Sequence, residues 1–266
     1  MYKALKKIKY FVLDMDGTIY LGNRLLPGAR EFLEYVTVTG RKFIFLTNNS
    51  SADSIYYAEK LQKMGIACSN NDVLTSGEAT VRYLELEKKG AKIFLLGVPS
   101  LEREFIERGF VLTDQNPDFV VLGFDRTLTY DKLATACILL RQGVPLLATH
   151  ADINCPTENG YIPDCGAMLE LIKSSTGVSP IKIIGKPNTG IMDMAMDKLG
   201  SREKSEFAMV GDRLYTDIKM GNLCGVTSVA VLSGEASAAD IETSLDKPDY
   251  IFENLGKLKE LLQKLD

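Results

Sequence analysis

The sequence contains no apolar run that approaches the ~20 residues of a membrane-spanning helix. It also has little excess charge: a net charge of −4 gives no sign of binding to nucleic acids or to anionic membranes. We therefore expect neither kind of partner. The cysteines are few, scattered and without CxxC spacing; they are Cys68, Cys137, Cys155, Cys165 and Cys224. Such a pattern predicts reduced thiols in a cytoplasmic protein and no zinc site.

The composition is that of an ordinary globular protein. Apolar residues make up 45% of the 266 residues and charged residues 25%, which argues against disorder. This length suits one large domain or two of ordinary size. The basic residues 1–7 precede an apolar run that carries Lys9 and is broken by Asp14. Because no small-residue cleavage site follows this run, we interpret it as a first strand and not as a signal peptide.

Alternating strand and helix patterns open the chain. Residues 8–13 are apolar, mostly β-branched or aromatic, and end at a polar loop, which is typical of a buried strand. A helix with one apolar face is predicted over 29–38, followed by a strand over 42–46 and a helix over 53–64. This alternation with short links indicates a parallel sheet.

A second series of strands and helices begins near residue 76 and has enough apolar residues to bury its own core. The first alternation of strands and helices then resumes, with predicted strands over 181–184, 207–210, 228–232 and 250–252 that complete the first sheet. We therefore expect an α/β protein. Residues 1–76 and 180–266 would form its core, and residues 77–179 an inserted α/β domain.

Polar residues stand at the ends of four predicted strands; they are Asp14 and Asp16, Thr47 and Asn48, Lys186, and Asp212 and Asp217. Because ligands collect at the carboxyl ends of parallel strands, we expect these side chains to meet at one edge of the sheet. Close carboxylates repel and raise one another's pKa unless a cation offsets them. The cation that suits oxygen ligands is a hard metal ion.

Several carboxylates, one lysine and small hydrogen-bond donors suit phosphoryl transfer through a covalent aspartyl intermediate. An attacking carboxylate and a phosphate dianion repel, because a pair of unit charges about 4 Å apart costs about 4 kcal/mol at an effective dielectric near 20. A divalent ion that bridges the two groups reverses this sign. A lysine adds positive charge where negative charge builds in the transition state.

The same polar stretches resemble the four motifs of haloacid dehalogenase (HAD) superfamily phosphatases, in order over nearly the whole chain. These stretches are 14–18 (DMDGT), 47–49 (TNN), 185–187 (GKP) and 211–217 (GDRLYTD). The family's larger α/β cap domain sits between its second and third motifs, and residues 149–166 are similar to its class IIA branch, the NagD-like and p-nitrophenyl phosphatases. The resemblance implies a HAD-like Rossmannoid parallel-sheet core with an inserted cap of the class IIA type.

The resemblance also implies roles for individual residues. Asp14 would be the nucleophile that takes the phosphoryl group. Asp16 would protonate the leaving oxygen and then activate water as a base. Thr47 and Asn48 would hold phosphate oxygens, and Lys186 would neutralise the phosphate and the nucleophile.

A magnesium ion is implied in the same way. Asp14, Asp212 and the backbone carbonyl of Asp16 would bind Mg²⁺, while Asp217 and Asn49 would support the site without touching the ion. Asp217 has a second interpretation from the residues alone: a carboxylate at the start of a helix is favoured by the helix dipole.

The function implied is that of a cytoplasmic, Mg²⁺-dependent phosphatase whose cap closes over the site. Its substrates would be small organic phosphates: sugar phosphates, nucleoside monophosphates, glycolate or glycerol phosphate, and the artificial p-nitrophenyl phosphate. One alternative is a phosphotransferase or mutase, in which a sugar hydroxyl replaces water. Another is a non-catalytic phosphometabolite-binding protein, although binding alone does not need Asp16.

Three questions stay open at the level of the sequence. His150, the only histidine, stands where we expect asparagine in the class IIA branch. A lone histidine at a strand end is more often a hydrogen-bonded bystander than a catalyst. The cap residues that select the substrate cannot be derived, because pockets often tolerate related ligands. Pairing of cap faces into a homo-oligomer also stays open.

Overall fold

A computed structural model of the chain describes residues 2–157 and 159–266. The helices in these ranges are α1 (Ala29–Val38), α2 (Ser54–Lys63), α3 (Ser76–Glu87), α4 (Pro99–Glu107), α5 (Tyr130–Arg141), α6 (Cys165–Thr176), α7 (Thr189–Leu199), α8 (Lys219–Cys224), α9 (Ala238–Thr243) and α10 (Leu255–Leu265). The strands are β1 (Tyr10–Leu13), β2 (Tyr20–Leu21), β3 (Arg24–Leu25), β4 (Lys42–Thr47), β5 (Val73–Thr75), β6 (Lys92–Leu96), β7 (Val111–Leu112), β8 (Phe119–Leu122), β9 (Leu146–Ala148), β10 (Asn154–Thr157), β11 (Gly160–Pro163), β12 (Lys182–Ile183), β13 (Phe207–Gly211), β14 (Thr227–Val231) and β15 (Tyr250–Phe252).

The first sheet has six strands, in the order β15-β14-β13-β1-β4-β5. Strand β1 lies in its middle and runs parallel to β13 and β4, so that Leu13 is level with Val210 and Phe45. Phe11, Val12 and Leu13 are fully buried. A parallel strand covered on both faces is apolar throughout, which explains the continuous apolar run before Asp14.

Helix α1 shows why the flanking helices form where the sequence predicts them. Its Phe32, Leu33 and Val36 are buried, and their spacing of one, three and four residues places them on one face. Gly28 precedes the helix with φ +76°, and a Cβ there would lie 2.3 Å from the backbone of Gly256 in α10. Glycine therefore permits both the left-handed turn and the close approach of two helices.

The second sheet has five parallel strands in the order β12-β9-β8-β6-β7. Strand β12 belongs to this sheet, so the prediction that 181–184 completes the first sheet is wrong. Ile183 is level with Ala148 of β9, and the Ile181 N–H donates to the Leu146 carbonyl at 2.8 Å. A short apolar segment carries no information about which edge strand it will join, because both sheets offer parallel partners.

The chain divides into two compact units. One contains Met1–Leu46, Tyr57–Leu74 and Lys186–Asp266, and the other contains Thr47–Tyr56 and Thr75–Gly185. The first unit holds β1 and its parallel neighbour β13, and the second holds the five-stranded sheet. The predicted domain limits, 1–76, 77–179 and 180–266, stay a prediction, because a compact unit is a set of neighbouring residues and not a demonstrated independent domain.

Several short elements escaped the sequence analysis. Residues 150–165, for which the sequence analysis names no strand, contain the antiparallel hairpin of β10 and β11, in which Cys155 is level with Ile162. Strand β5 and helix α9 were also missed, and α8 is preceded by one π-helical turn over Leu214–Ile218. Elements this short have too few residues for a periodic pattern. Glu158, within the motif quoted for the cap, lies outside the described residues.

No described helix is long and apolar enough to cross a membrane.

Candidate active site

Three aspartates meet at the carboxyl ends of β1 and β13. One carboxylate oxygen from each of Asp14, Asp212 and Asp217 lies within 4.8 Å of the other two, and all three residues are buried. Asp14 follows the last residue of β1, and its N–H donates to the Val210 carbonyl of β13 at 2.9 Å. The parallel register of the two strands thus brings carboxylates distant in sequence into one cluster.

A buried lysine balances part of this charge. Lys186 is 3% exposed; its ammonium group forms an ion pair with Asp14 and lies 2.7 Å from Oδ1 of Asp217. It also donates to the Leu46 carbonyl at 3.3 Å. Burial alone would lower the pKa of Lys186, but the Asp14 and Asp217 carboxylates together raise the pKa above its usual value. Lys186 is therefore held in its charged form.

Asp217 joins the cluster from the π-helical turn. It is fully buried, and its Oδ2 accepts the backbone N–H of Arg213 at 3.2 Å. Burial raises the pKa of Asp217 to about 6; Lys186 opposes this change and Asp14 adds to it. A Cβ on Gly211 would lie 2.3 Å from the carboxyl carbon of Asp217, so glycine at this position leaves the room for the carboxylate.

Asp212 is surrounded by backbone. Its Oδ2 accepts the Glu235 N–H at 2.7 Å, and its Oδ1 accepts the Thr18 hydroxyl at 3.4 Å. A Cβ on Gly17 would lie 2.2 Å from Asp212 Oδ2, and one on Gly234 would lie 1.9 Å from it. Burial, followed by Asp14 and Asp217, raises the pKa of Asp212 well above its usual range.

The segment Ser233–Glu235, which follows β14, was missed by the sequence analysis. Besides holding Asp212, it contacts the first motif, because the Ser233 hydroxyl donates to the Gly17 carbonyl at 2.9 Å. The one available signal was the pair of small residues Ser233 and Gly234. They directly follow a predicted parallel strand, at the end where ligands collect.

Asp16 occupies a different environment from the carboxylate cluster. Its Oδ2 accepts the Tyr20 hydroxyl at 3.4 Å, and the Lys60 ammonium lies 3.8 Å from the centre of the Tyr20 ring. Burial is the largest cause that raises the pKa of Asp16 to about 6, with a further increase from Asp14; Lys60 and Arg213 oppose it. A carboxyl group with this pKa exchanges protons near neutral pH.

The cluster fits a divalent cation. Oxygen ligands from carboxylates are what Mg²⁺ and Ca²⁺ prefer, and three carboxylates against one lysine leave an excess of negative charge. Burial is the largest cause of the raised pKa values of Asp212 and Asp217, and the neighbouring carboxylate of Asp14 raises both further. Two glycines, Gly17 and Gly234, keep the approach to Asp212 clear of side chains.

The predicted phosphate-binding residues lie in the second compact unit, and the carboxylates and Lys186 in the first. Thr47 is the last residue of β4, and its hydroxyl oxygen accepts the Asn49 N–H at 3.1 Å. Asn48 is 4% exposed and donates from Nδ2 to Oδ1 of Asp152 at 2.9 Å. The Asn49 side chain accepts the Ser51 N–H at 2.8 Å, which closes a tight polar turn.

Comparison with known proteins agrees with the class of protein that this α/β fold and carboxylate site define. The profile described as haloacid dehalogenase-like hydrolase matches residues 11–111, and the HAD-hydrolase-like profile matches residues 183–258. The chain belongs to the haloacid dehalogenase-like hydrolases, in their NagD-like and p-nitrophenyl phosphatase branch of class IIA. The family and the fold class predicted from the four motifs are thereby confirmed.

Three relatives illustrate how far the similarity extends. The 4-nitrophenylphosphatase of Thermotoga maritima is 48% identical, with a TM-score of 0.95 over 98% of this chain and 99% of that one. The acid sugar phosphatase of Staphylococcus aureus (strain MRSA252) is 37% identical over 261 residues, 98% of this chain and 100% of the relative. The glycerol phosphate phosphatase of Mycobacterium tuberculosis in complex with magnesium is 30% identical, with a TM-score of 0.89 over 96% of this chain and 78% of that one.

Proposed function

We propose that this chain is a Mg²⁺-dependent phosphatase that hydrolyses small organic phosphate monoesters through a phosphorylated Asp14. The observation that carries the proposal is the pairing of Asp14 with the buried Lys186 beside the carboxylates of Asp212 and Asp217. Its relatives, which are 4-nitrophenyl, acid sugar and glycerol phosphate phosphatases, support the same class of substrate.

Asp14 is the nucleophile in this mechanism. One of its oxygens attacks the phosphorus atom, the bond from phosphorus to the ester oxygen breaks, and Asp16 gives its proton to the leaving alcohol. Asp16, now ionised, takes a proton from water as that water attacks the phosphorus atom of the phosphorylated Asp14. The bond between phosphorus and the Asp14 oxygen then breaks, which releases inorganic phosphate and restores the Asp14 carboxylate. The raised pKa of Asp16, about 6, suits a group that both gives and takes protons.

Lys186 offsets the charge of both the nucleophile and the phosphate. Because Asp14 and Asp217 keep it protonated, it supplies positive charge without a proton transfer of its own. Thr47 and Asn48 bind phosphate oxygens in this proposal, and Asn49 supports their turn.

Asp14, Asp212 and the backbone carbonyl of Asp16 would hold the Mg²⁺ ion, with Asp217 supporting them through Lys186 and the Arg213 N–H. When bound, the ion would supply positive charge against the phosphate oxygens. Asp212 contributes by presenting a carboxylate whose orientation is fixed by the Glu235 N–H and the Thr18 hydroxyl.

Residues 77–179 are proposed to form the inserted cap, which excludes bulk water and recognises the leaving group. The substrates proposed for it are sugar phosphates, nucleoside monophosphates, glycolate or glycerol phosphate, and p-nitrophenyl phosphate. A cytoplasmic location is also proposed. The five cysteines support it, because none of them forms a disulfide within the described residues.

The experiment that tests the proposal measures phosphate release from p-nitrophenyl phosphate without any added acceptor. Asp14→Asn should abolish the covalent intermediate and reduce the rate at least about 10³-fold, because a neutral amide is a poor nucleophile. Asp16→Asn should slow both half-reactions but leave binding of Mg²⁺, measured by calorimetry, largely intact. Asp193→Asn, an exposed aspartate on α7, is the matched control and should behave as wild type.

The proposal is wrong if Asp14→Asn retains activity, or if removal of divalent metal by a chelator leaves the rate unchanged. Phosphate that appears only after a sugar acceptor is added would identify a phosphotransferase instead. Ligand binding without turnover of any member of a broad phosphate panel would identify a binding protein.

A further inference from the structure

The only histidine of the sequence lies within a series of linked hydrogen bonds in the second compact unit. His150 follows β9 and is fully buried. Its Nδ1 lies 2.9 Å from the Thr149 hydroxyl oxygen, and its Nε2 lies 2.9 Å from Oδ1 of Asp164. The Thr149 hydroxyl lies 2.9 Å from that of Ser50, which accepts the Phe124 N–H at 2.8 Å. We call these linked groups, from Phe124 to Asp164, the relay.

The two ends of the relay determine which way its hydrogen bonds run. Asp164 caps α6, and its Oδ1 also accepts the Cys165 N–H at 2.6 Å, so this carboxylate oxygen acts as an acceptor. His150 must then donate from Nε2, and in a neutral ring Nδ1 is left as an acceptor. Thr149 therefore donates its hydroxyl hydrogen to Nδ1 and accepts the hydrogen of Ser50.

Every hydrogen of the relay has an acceptor when His150 is neutral and carries its hydrogen on Nε2. A doubly protonated ring would donate from Nδ1 to Thr149, which would turn the Thr149 hydroxyl toward Ser50. The Ser50 oxygen already accepts the Phe124 N–H, so the Ser50 hydroxyl hydrogen would lose its acceptor within the relay. A buried hydroxyl without a partner is costly, which favours the neutral ring.

The relay passes through the segment that carries the proposed phosphate contacts. Ser50 belongs to the turn over residues 47–51, which we call the phosphate loop. Asp152, two residues after His150, holds the same loop by accepting from Nδ2 of Asn48 at 2.9 Å. The Asn48 carbonyl accepts the hydroxyl of Ser76 at the start of α3. Side chains from the segment after β9 thus hold the phosphate loop at two points, Asn48 and Ser50.

We propose that His150 is a positioning residue for phosphate binding: as a neutral ring with its hydrogen on Nε2, it connects Asp164 to Ser50 and thereby orients the phosphate loop. The assignment rests on the proposed function only where it concerns phosphate. The position of the hydrogen on His150 is a property of the relay and holds whether or not the chain is a phosphatase.

The lone histidine permits a direct measurement. Protein labelled with ¹⁵N-histidine and purified without a histidine tag gives the ring nitrogens of His150 alone. At neutral pH we expect a protonated Nε2 and an unprotonated Nδ1. Addition of inorganic phosphate in the presence of Mg²⁺ should shift the Nδ1 resonance, because Nδ1 is connected to Ser50 through one hydroxyl. A ring with its hydrogen on Nδ1, or one protonated on both nitrogens, would overturn the proposal.

Two substitutions that introduce the same amide group test the two ring nitrogens one at a time. In His150→Asn the amide oxygen can replace Nδ1 as acceptor for Thr149, whereas in His150→Gln the amide nitrogen can replace Nε2 as donor to Asp164. We expect H150N to raise KM less than H150Q does, because it keeps the acceptor for Thr149 and loses only the bond to Asp164. We expect H150Q to raise KM and the inhibition constant of inorganic phosphate together by about tenfold, the value of one lost buried hydrogen bond, with a smaller change in kcat.

Thr149 supplies a second matched pair. Thr149→Val removes the hydroxyl at nearly constant shape and should reproduce the KM change of H150Q, while Thr149→Ser keeps the hydroxyl and should not. Thr176→Val, which removes a hydroxyl at the far end of α6, should leave KM unchanged. Equal KM values for H150N and H150Q, or for T149S and T149V, in variants with wild-type circular dichroism would refute a positioning role.

Failure of the two proposals can be told apart. If no phosphate ester is turned over but the ring of His150 carries its hydrogen on Nε2 and responds to inorganic phosphate, the relay stands and the phosphatase assignment falls. If turnover is normal and the ring nitrogens do not respond to phosphate, the phosphatase assignment stands and the relay has no part in binding.

Discussion

At the scale of single residues, neighbouring carboxylates in this protein differ because their surroundings differ. Asp14 and Asp16 are two positions apart, yet Asp14 pairs with Lys186, whereas Asp16 lies against Tyr20 and has its pKa raised to about 6, chiefly by burial. A carboxylate beside an ammonium group is placed to attack phosphorus, while one with a raised pKa can carry a proton. The unequal roles that the family resemblance implies thus have a local physical basis.

A residue-scale prediction concerns Gly234, which no motif includes. A Cβ at this position would lie 1.9 Å from Oδ2 of Asp212, so Gly234→Ala should displace that carboxylate. We expect affinity for Mn²⁺, measured by electron paramagnetic resonance, to fall about 10- to 100-fold, as for other residues that orient metal ligands.

Gly190→Ala is the matched control, because a Cβ at Gly190 in helix α7 meets nothing within 4 Å. This variant should bind Mn²⁺ as the wild type does. Unchanged Mn²⁺ affinity in both variants would show that the segment after β14 does not position Asp212.

At the scale of elements, a carboxyl group is buried where α4 packs against α3, and this burial disfavours its charged form. Oε2 of Glu104 on α4 is buried and has no hydrogen-bond partner within residues 2–157 and 159–266. It lies where a Cβ on Gly77 of α3 would approach it to 3.2 Å. Burial raises the pKa of Glu104 to about 8, with further contributions from Asp53 and Glu78.

Stability should therefore fall as the pH rises. The pKa of Glu104 is about 8 in the folded chain against 4.5 for an ordinary glutamate, so between these values the folded state binds more protons than the unfolded state. The free energy of unfolding then decreases from about pH 4.5 to about pH 8. Glu104→Gln removes this cost and should unfold at higher urea concentration than wild type at pH 8.5.

E104Q and wild type should be nearly equal in stability at pH 4.5. At that pH Glu104 is protonated in the folded wild type and about half protonated in the unfolded wild type. One pKa unit corresponds to about 1.4 kcal/mol, which makes the difference at pH 8.5 measurable. Glu87→Gln, which changes an exposed glutamate at the end of α3 and keeps Glu104, serves as control: its difference in stability from wild type should not change with pH. A constant difference between E104Q and wild type at all pH values would contradict the explanation.

At the scale of the whole molecule, the chain forms two compact units, and one short strand decides where the second ends. Strand β12 (Lys182–Ile183) completes the five-stranded sheet, although it is followed within three residues by Lys186 of the first unit. The predicted limit at 179 leaves this edge strand out of the inserted domain. Loss of β12 would expose one side of β9, with its unpaired backbone groups.

Two fragments test the domain prediction. A fragment of residues 75–185, which includes β12, should unfold cooperatively on heating. A fragment of residues 77–179, which lacks it, should unfold at a lower temperature, because β9 then becomes an edge strand. Circular dichroism at increasing temperature provides the measurement. Absence of a cooperative transition in both fragments would mean that the inserted unit is not an independent domain.

Local patterns in the sequence determined much of the fold. The apolar run before Asp14, the one-sided pattern of α1 and the glycine before that helix are local features, and each depends on residues within one or two turns. Each of the four polar motifs is also a short local stretch, so the motifs could be recognised in the sequence together with their order. Family and fold class followed from these features.

Tertiary structure alone decided which segments become neighbours. The pairing of β12 with β9, the segment Ser233–Glu235 around Asp212, and the relay through His150 join residues that are far apart in sequence. None leaves a periodic signal, since each depends on a few atoms brought within hydrogen-bond distance by the packing of whole sheets. The sequence by itself could therefore specify the chemical groups of the site. Only the folded chain could determine which oxygen faces which hydrogen, and what burial does to their charges.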